Sequence, residues 1–258
     1  MDTLADDLEI VQQIALDAAQ MALERADDVT AREKQNLSYV TDLDNDVERM
    51  IRARLAEAFP SDRLTGEELD SSGGTGPRRW SIDPIDGTGN LVHRLPIWAI
   101  SIGLIDAGEP VLGVIAVPPL GELYWATKGG GAWRDGEPLE VLDAEAFHNQ
   151  DNVHVGTNAL RVVDPRTIPG RLRDLGSACA ELAFLAAGRL QACTFLGEAI
   201  HDVAAGALIA AEAGCDFGRL DGKPLSLAEF VAQTPVQVPT FIAPPKRLRW
   251  LMDHARAL

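Results

Sequence analysis

The chain has 258 residues and a mass of 27.7 kDa, enough to bury a large core as one long domain or two closely packed ones. With 46% hydrophobic and 24% charged residues it has the composition of an ordinary soluble globular protein, neither disordered nor fibrous. A net charge of -16 argues against nucleic acid as a partner, because phosphates would meet a repelling surface, so an anionic substrate needs a basic pocket or a bound cation.

From Leu4 to about Arg25 the apolar positions Leu4, Leu8, Val11, Ala15, Ala18 and Ala22 recur at helical spacing and predict a long amphipathic helix. The start, MDTLADDLEI, is acidic and lacks the basic and apolar regions of a signal peptide, and no 18-residue apolar run occurs. The expectation is a cytoplasmic protein that does not enter a membrane. The polar run ADDVTAREKQN reads as an exposed loop. A second helix follows over about Leu43 to Ala58, carrying Val47, Met50, Ile51 and Leu55, and Pro60 ends it. Arg79 to Ile82, Ile97 to Ile105, Val111 to Val117 and Glu122 to Thr127 are short apolar runs joined by turn residues. They predict an antiparallel meander packed on the two helices.

The segment Asp135 to Asn152 is polar and poor in large apolar residues, and it marks the internal boundary. Residues 1–140 form an N-terminal α+β part and residues 141–258 a smaller α/β part. In the second part Val153 to Val155 and Gln191 to Phe195 read as strands, and Ala178 to Ala187 and Asp202 to Ala213 as helices. A last strand at ThrPheIleAlaProPro and a last helix at KRLRWLMDHARAL close the chain. Cys179, Cys193 and Cys215 have no CxxC spacing, so neither a disulfide framework nor a zinc site is expected, and a reducing compartment fits. The clusters Arg78-Arg79 and Lys246-Arg247-Arg249 read as solvated faces, and Trp80, Trp98, Trp125 and Trp133 as core or interface.

Four places carry acids in unusual settings: Asp44, Glu67 and Glu68, the pair Asp83 and Asp86 in IDPIDGTGN, and Asp202. Taken singly, Asp44 and Asp202 are explained as helix N-caps or first-turn acids, and Glu67 and Glu68 as solvated loop acids. The pair resists that. Pro84 fixes φ and removes a donor and Gly87 permits a turn, so the chain is expected to leave its strand sharply where both carboxylates lie. Two such carboxylates repel unless a cation sits between them, and hard oxygen ligands select Mg²⁺, Mn²⁺ or Ca²⁺. Gly87-Thr88-Gly89-Asn90 then opens a helical turn whose free N–H groups make a phosphate site. Together with Asp44, Glu67 and Asp202, the pair gives the carboxylates that a two-metal phosphoryl-transfer site requires.

These residues resemble the inositol monophosphatase family of magnesium-dependent, typically lithium-sensitive phosphatases. The resemblance runs in order through Asp44, Gly66-Glu67-Glu68, Asp83-Pro84-Ile85-Asp86-Gly87-Thr88 and His201-Asp202-Val203-Ala204-Ala205-Gly206, and extends through NLVHRLPIWAISIGL. It implies a layered αβαβα sandwich of the inositol monophosphatase and fructose-1,6-bisphosphatase type, an α+β or α/β fold usually found as a homodimer. It also implies that Glu67, Asp83 and the Ile85 carbonyl hold one Mg²⁺, and that Asp83, Asp86 and Asp202 hold a second. Glu67 and Thr88 would orient and help deprotonate the attacking water. Asp44 would hold a third, weaker ion or tune Thr88, and the Gly87 and Thr88 N–H groups would grip the phosphate. Li⁺ inhibition follows from the same likeness.

The chain departs from the family's wording at several positions. His201 stands where the family has tryptophan and is expected to fill the same packing slot. Cys215 replaces a glycine, and Gly89 a threonine or lysine. Phe195 stands where inositol phosphatases place a glutamate for the ring hydroxyls, and an apolar ring accepts no hydrogen bond from a polyol. Phe195, Glu198 and Ala178 are the candidate substrate contacts, with Glu198 alone also explained as a solvated loop acid. The substrate is a small phosphorylated metabolite: inositol phosphate, fructose 1,6-bisphosphate, histidinol phosphate or 3'-phosphoadenosine 5'-phosphate. The alternative without turnover is a regulatory module that binds metal or sugar phosphate, whose mark would be loss of a metal ligand; the ligand set is complete here.

Overall fold

A computed structural model of the chain describes residues 4–34 and 39–258. Helix α1 (Leu4–Arg25) is followed by strands β1 (Ala31–Glu33) and β2 (Tyr39–Thr41) and helix α2 (Asp42–Ala58). Next come β3 (Arg63–Gly66), β4 (Ser72–Gly73), β5 (Arg78–Asp86) and the short helix α3 (Thr88–Val92). Strands β6 (Ala99–Asp106), β7 (Glu109–Val117), β8 (Glu122–Thr127), β9 (Ala132–Arg134) and β10 (Glu137–Leu139) complete the first half. The second half holds β11 (Asn152–His154), β12 (Arg171–Arg173), α4 (Ala178–Ala186), β13 (Cys193–Phe195) and α5 (Ile200–Glu212). It ends with β14 (Asp216–Arg219), β15 (Pro224–Leu225), α6 (Leu227–Ala232), β16 (Thr240–Ala243) and α7 (Pro245–His254).

The expected meander β5 to β8 lies inside an eight-stranded sheet ordered β10-β9-β8-β7-β6-β5-β3-β4. Its two faces are used differently, because side chains alternate along a strand. On β6, Ile100, Ile102 and Leu104 join Val11, Ile14, Val47 and Ile51 of α1 and α2 in one buried cluster. The opposite face is covered by α5 and α4, whose alanines and leucines cluster with Ile115, Val117 and Tyr124. There the sheet is thinned by glycine: a Cβ at Gly113 would lie 2.7 Å from the Ala205 carbonyl oxygen, and one at Gly103 3.1 Å from the Ala205 nitrogen. Helix α5 therefore rides close on β6 and β7. A four-stranded sheet, β13-β16-β14-β15, packs beyond α4 and α5, and α7 packs against β14 and β16. The order helix pair, sheet, helix pair, sheet, helix makes an α+β layered sandwich of αβαβα type.

Several expectations change. Within ADDVTAREKQN, Ala31–Glu33 is not loop but pairs antiparallel with β2; Gln35 and Asn36 lie outside the described residues. Strand β5 does not stop at Ile82: it runs on to Asp86, and its register with β6 shifts between Asp83 and Asp86. A bulge tolerates Pro84, because the irregular residues need no ladder donor. The basic clusters are not solvated faces throughout. Arg78 bonds Asp7 of α1 at 2.7 Å and Asp62 at 2.9 Å, with Trp80 Nε1 also donating to Asp62 at 2.9 Å. Arg247 is buried, 3.1 Å from Asp151 and stacked over Phe147.

Candidate active site

Strands β3 and β5 run parallel, Gly66 opposite Ile82, so their C-terminal ends reach the same edge of the sheet. That brings Glu67 beside Asp83. The loop after β3 is pinned from α2: buried Glu48 accepts the Glu68 N–H at 2.8 Å and pairs with Arg52 at 2.6 Å. Arg52 in turn donates to the Leu69 and Asp70 carbonyls, and a Cβ at Gly66 would fall 2.1 Å from Glu48 Oε1. This clamp carries no signal in the sequence, because Glu48 and Arg52 bond loop backbone 17 to 20 positions away.

Three helix N-termini converge on the same edge. Asp44, buried in the first turn of α2, accepts the Thr41 N–H at 2.8 Å and the Thr88 hydroxyl at 2.8 Å. Asp86 accepts the Ser177 hydroxyl at 2.8 Å and the Cys179 N–H at 2.5 Å, both at the start of α4. Asp202 sits in the first turn of α5 and accepts the Ala199 N–H at 2.5 Å. The positive ends of these helices favour carboxylates there, as expected for N-terminal acids. The cap reading and the site reading thus hold together at Asp44 and Asp202.

Asp83 is 1% exposed, and its carboxyl is bonded by the Ile85 N–H at 3.1 Å. Burial, then repulsion from Asp86 and Glu67, pushes its affinity for a proton well above the ordinary range. Burial and the nearby Asp202 raise Asp86 to about 8. Asp202 and Asp44 are raised as well, chiefly by burial. Acids crowded out of water in this way are stabilised either by protons or by a cation. One oxygen or nitrogen from each of Glu67, Asp83 and His201 lies within 4.8 Å of the others, and so do ligand atoms of Asp83, Asp86 and Cys179. A set dominated by carboxylate oxygen fits a hard divalent ion better than zinc or copper. Lys34 reaches into the same place, 2.8 Å from Glu67 Oε1 and paired also with Glu68.

Gly87 starts α3 at φ +93, a left-handed conformation that favours glycine, and a Cβ there would lie 3.1 Å from the Gly176 carbonyl oxygen. The first helical bond runs from Leu91 N–H to Gly87 at 3.0 Å, which leaves the Thr88 and Gly89 amides ahead of it. Thr88 Oγ1 also lies 3.0 Å from the Ile85 carbonyl.

The candidate substrate residues divide. Ala178 and Glu198 line a recess of about 270 Å³ that also takes in Asp86 and Asp202. Glu198 is not a solvated loop acid: its Oε2 is buried, and burial lifts its carboxyl to about 7. Phe195 is a correction, because it is fully buried, presents no surface to the recess and packs its ring 4.8 Å from that of His154. His201 does not simply fill a packing slot either; it is 3.4 Å from Asp202 and faces the carboxylates. The recess residues His154, Asp174 and Glu181 were not legible in the sequence, since only the pairing of β11 with β12 and the placement of α4 bring them together.

Fold and site together define a metal-dependent phosphatase architecture. The sequence profile of the inositol monophosphatase family matches residues 4–248, and the chain belongs to that family of phosphoric monoester hydrolases. A histidinol-phosphatase of Streptomyces coelicolor is 33% identical over 242 residues, covering 87% of this chain and 90% of that protein. An inositol-1-monophosphatase of Rhizobium meliloti is 37% identical over 205 residues, covering 75% of this chain and 77% of that protein. Among solved structures, a Thermotoga maritima IMPase superposes with a TM-score of 0.82 at 27% identity, covering 96% of this chain and 94% of its own.

Proposed function

We propose that the chain is a cytoplasmic, homodimeric Mg²⁺-dependent phosphomonoesterase acting on a small phosphorylated metabolite at the edge of the sheet described above. In this reading Glu67, Asp83 and the Ile85 carbonyl hold one ion and Asp83, Asp86 and Asp202 a second, with Asp44 near a third, weaker position. Bound Mg²⁺ would supply a nucleophilic water and neutralise the phosphate, and Li⁺ would inhibit by competing for a ligand set of this kind. The three buried free cysteines accord with a reducing compartment.

The rest of the chemistry is assigned to side chains. Asp44 takes the Thr88 proton in a 2.8 Å hydrogen bond, so the Thr88 oxygen turns a lone pair toward an incoming water. Glu67 accepts the other proton of that water. The Gly87 and Thr88 N–H groups hold the phosphate oxygens. Water oxygen bonds to phosphorus as the P–O ester bond breaks in line; the alkoxide takes a proton from solvent water, and the proton accepted by Glu67 returns to solvent, which closes the balance. Residues 1–140 would supply this machinery, while residues 141–258 add Asp202 and the substrate contacts Glu198 and Ala178.

The observation that carries the reading is the convergence of Asp83, Asp86 and Asp202, whose proton affinities are all raised, chiefly by burial and then, for Asp83 and Asp86, by the neighbouring carboxylates. Asp86→Asn tests it. Phosphate release is expected to fall by on the order of 1,000-fold, with the circular dichroism spectrum unchanged, because a ligand charge is removed with little change in shape. Near-normal turnover would overturn the ligand assignment. The choice among inositol, fructose, histidinol and adenosine phosphates turns on the recess next to the ions.

A further inference from the structure

The recess that Glu198 and Ala178 line is also bordered by His154, Asp174 and Glu181, and no lysine or arginine lines it among the described residues. Glu181 is committed: its Oε2 is 2.9 Å from His154 Nε2, and its Oε1 accepts the Leu175 N–H at 2.6 Å. The other acceptors are not. Glu198 Oε2 is buried with no hydrogen-bond partner. His154 is 1% exposed and its Nδ1 also lacks a partner; since Nε2 donates to Glu181, Nδ1 in the neutral ring presents a lone pair. Asp174 Oδ2 takes the Thr157 hydroxyl at 2.6 Å and its carboxylate remains largely exposed. The Glu198 and His154 side chains border the same stretch of backbone, since a Cβ at Gly156 would lie 3.6 Å from Glu198 Oε1 and 3.6 Å from His154 Cε1.

Buried acceptors without donors are costly, and a native protein keeps them where something brings the donors. A hydroxyl can donate one hydrogen, whereas an ammonium carries three donors, no acceptor and a positive charge. A second phosphate or a carboxylate would be repelled from a wall of this sign. We propose that the alcohol released by this phosphatase carries a cationic nitrogen, a primary ammonium seated among Glu198, His154 and Asp174. The proposal rests on the phosphomonoesterase reading and narrows it. Of the four esters weighed above, histidinol phosphate alone bears such a group; inositol phosphate is neutral beyond its ester, and the two bisphosphates add a negative charge.

The test compares 2-amino-3-hydroxypropyl phosphate with glycerol 1-phosphate, which differ only by an ammonium in place of a hydroxyl. With Mg²⁺ present, kcat/KM is expected to favour the amine by about tenfold or more, since hydrogen bonds to charged groups discriminate on that scale. In Glu198→Gln, which keeps the shape and removes the charge, the ratio should fall to within about threefold of unity, and Asp174→Asn should lower it less because that group is better solvated. Equal rates on the two esters in the unaltered protein, or a preference for the glycerol ester, would overturn the proposal. If neither ester is hydrolysed, it is the phosphatase reading that fails. Calorimetry with the free alcohols then decides the recess separately: tighter binding of 2-amino-1,3-propanediol than of glycerol supports the cationic assignment, and no difference refutes it.

Discussion

Asp44 and Thr88 lie forty-four positions apart in the chain and share one proton across 2.8 Å. Asp44 is buried, so removing the Thr88 hydroxyl leaves part of a desolvated carboxylate without its donor. Thr88→Ala is therefore expected to cost about 1–3 kcal/mol of stability as well as activity. The activity loss should be roughly 100-fold or more, the scale at which a positioned proton acceptor contributes. Urea unfolding and phosphate release, measured on the same preparation, separate the two effects: a stability loss with unchanged kcat would show that Thr88 only supports the fold. At this scale the sequence was most informative where one short segment carries several roles. Asp83, Asp86, Gly87 and Thr88 sit within six positions, and a motif that short is readable without knowing the fold. Glu198 and His154 were misread or missed because burial, which turns an ordinary acid and an ordinary imidazole into unpaired acceptors, is decided by elements far away in the chain.

The elements aim the carboxylates through a few close approaches. Helix α5 lies against β7 at Gly113, where a Cβ would stand 2.9 Å from Ala205 Cα, and the same helix presents Asp202 at its start. Gly113→Ala would push the helix outward. The expected outcome is a stability loss of about 1–3 kcal/mol, as for an overpacked core, together with weaker Mg²⁺ binding by calorimetry. Unchanged metal affinity would show that α5 tilts without moving Asp202. The loop bearing Glu67 is held differently, by polar contacts from Glu48 on α2. Glu48→Gln keeps the volume but weakens the clamp on Arg52, so the Mg²⁺ dissociation constant should rise about 10–100-fold, the usual range for residues that orient ligands. An unaltered constant would mean that the loop holds Glu67 unaided. Helix periodicity made α1, α2, α4 and α5 legible, and the apolar runs did the same for β5 to β8. Strands β1, β2, β3, β4, β9, β10, β12, β14 and β15 were missed, each only two to four residues long and too short for an alternating pattern to register. Strand β5 was cut short for another reason: Pro84 signals a break, and a bulge satisfied it instead.

On the scale of the whole molecule, the site makes stability depend on pH and metal together. Asp86 keeps its proton to about 8 in the fold, against an ordinary value of 3.8. Between those values the folded chain binds a proton that the unfolded chain has released, so the metal-free protein loses stability as pH rises through that window. The raised Asp83 and Asp202 act in the same direction. In the proposed function Mg²⁺ would bind the ionised carboxylates, so its stabilising effect would grow as the protons leave. Thermal melts near pH 5 and near pH 8, with and without Mg²⁺, should show a larger Mg²⁺-induced rise in Tm at the higher pH; a rise independent of pH would contradict the crowding of these acids at the metal site. The same arrangement answers the problem set by a net charge of -16. An acidic protein can take an anionic ester only where cations are held.

The most direct test of that conclusion is phosphate release from a panel of small esters, including inositol 1-phosphate, histidinol phosphate, fructose 1,6-bisphosphate and 3'-phosphoadenosine 5'-phosphate, with Mg²⁺ and after its removal by chelation. Release from at least one ester that is lost on chelation and restored by added Mg²⁺ is the predicted result. No release from any ester with Mg²⁺ present, or release indifferent to its removal, would contradict it.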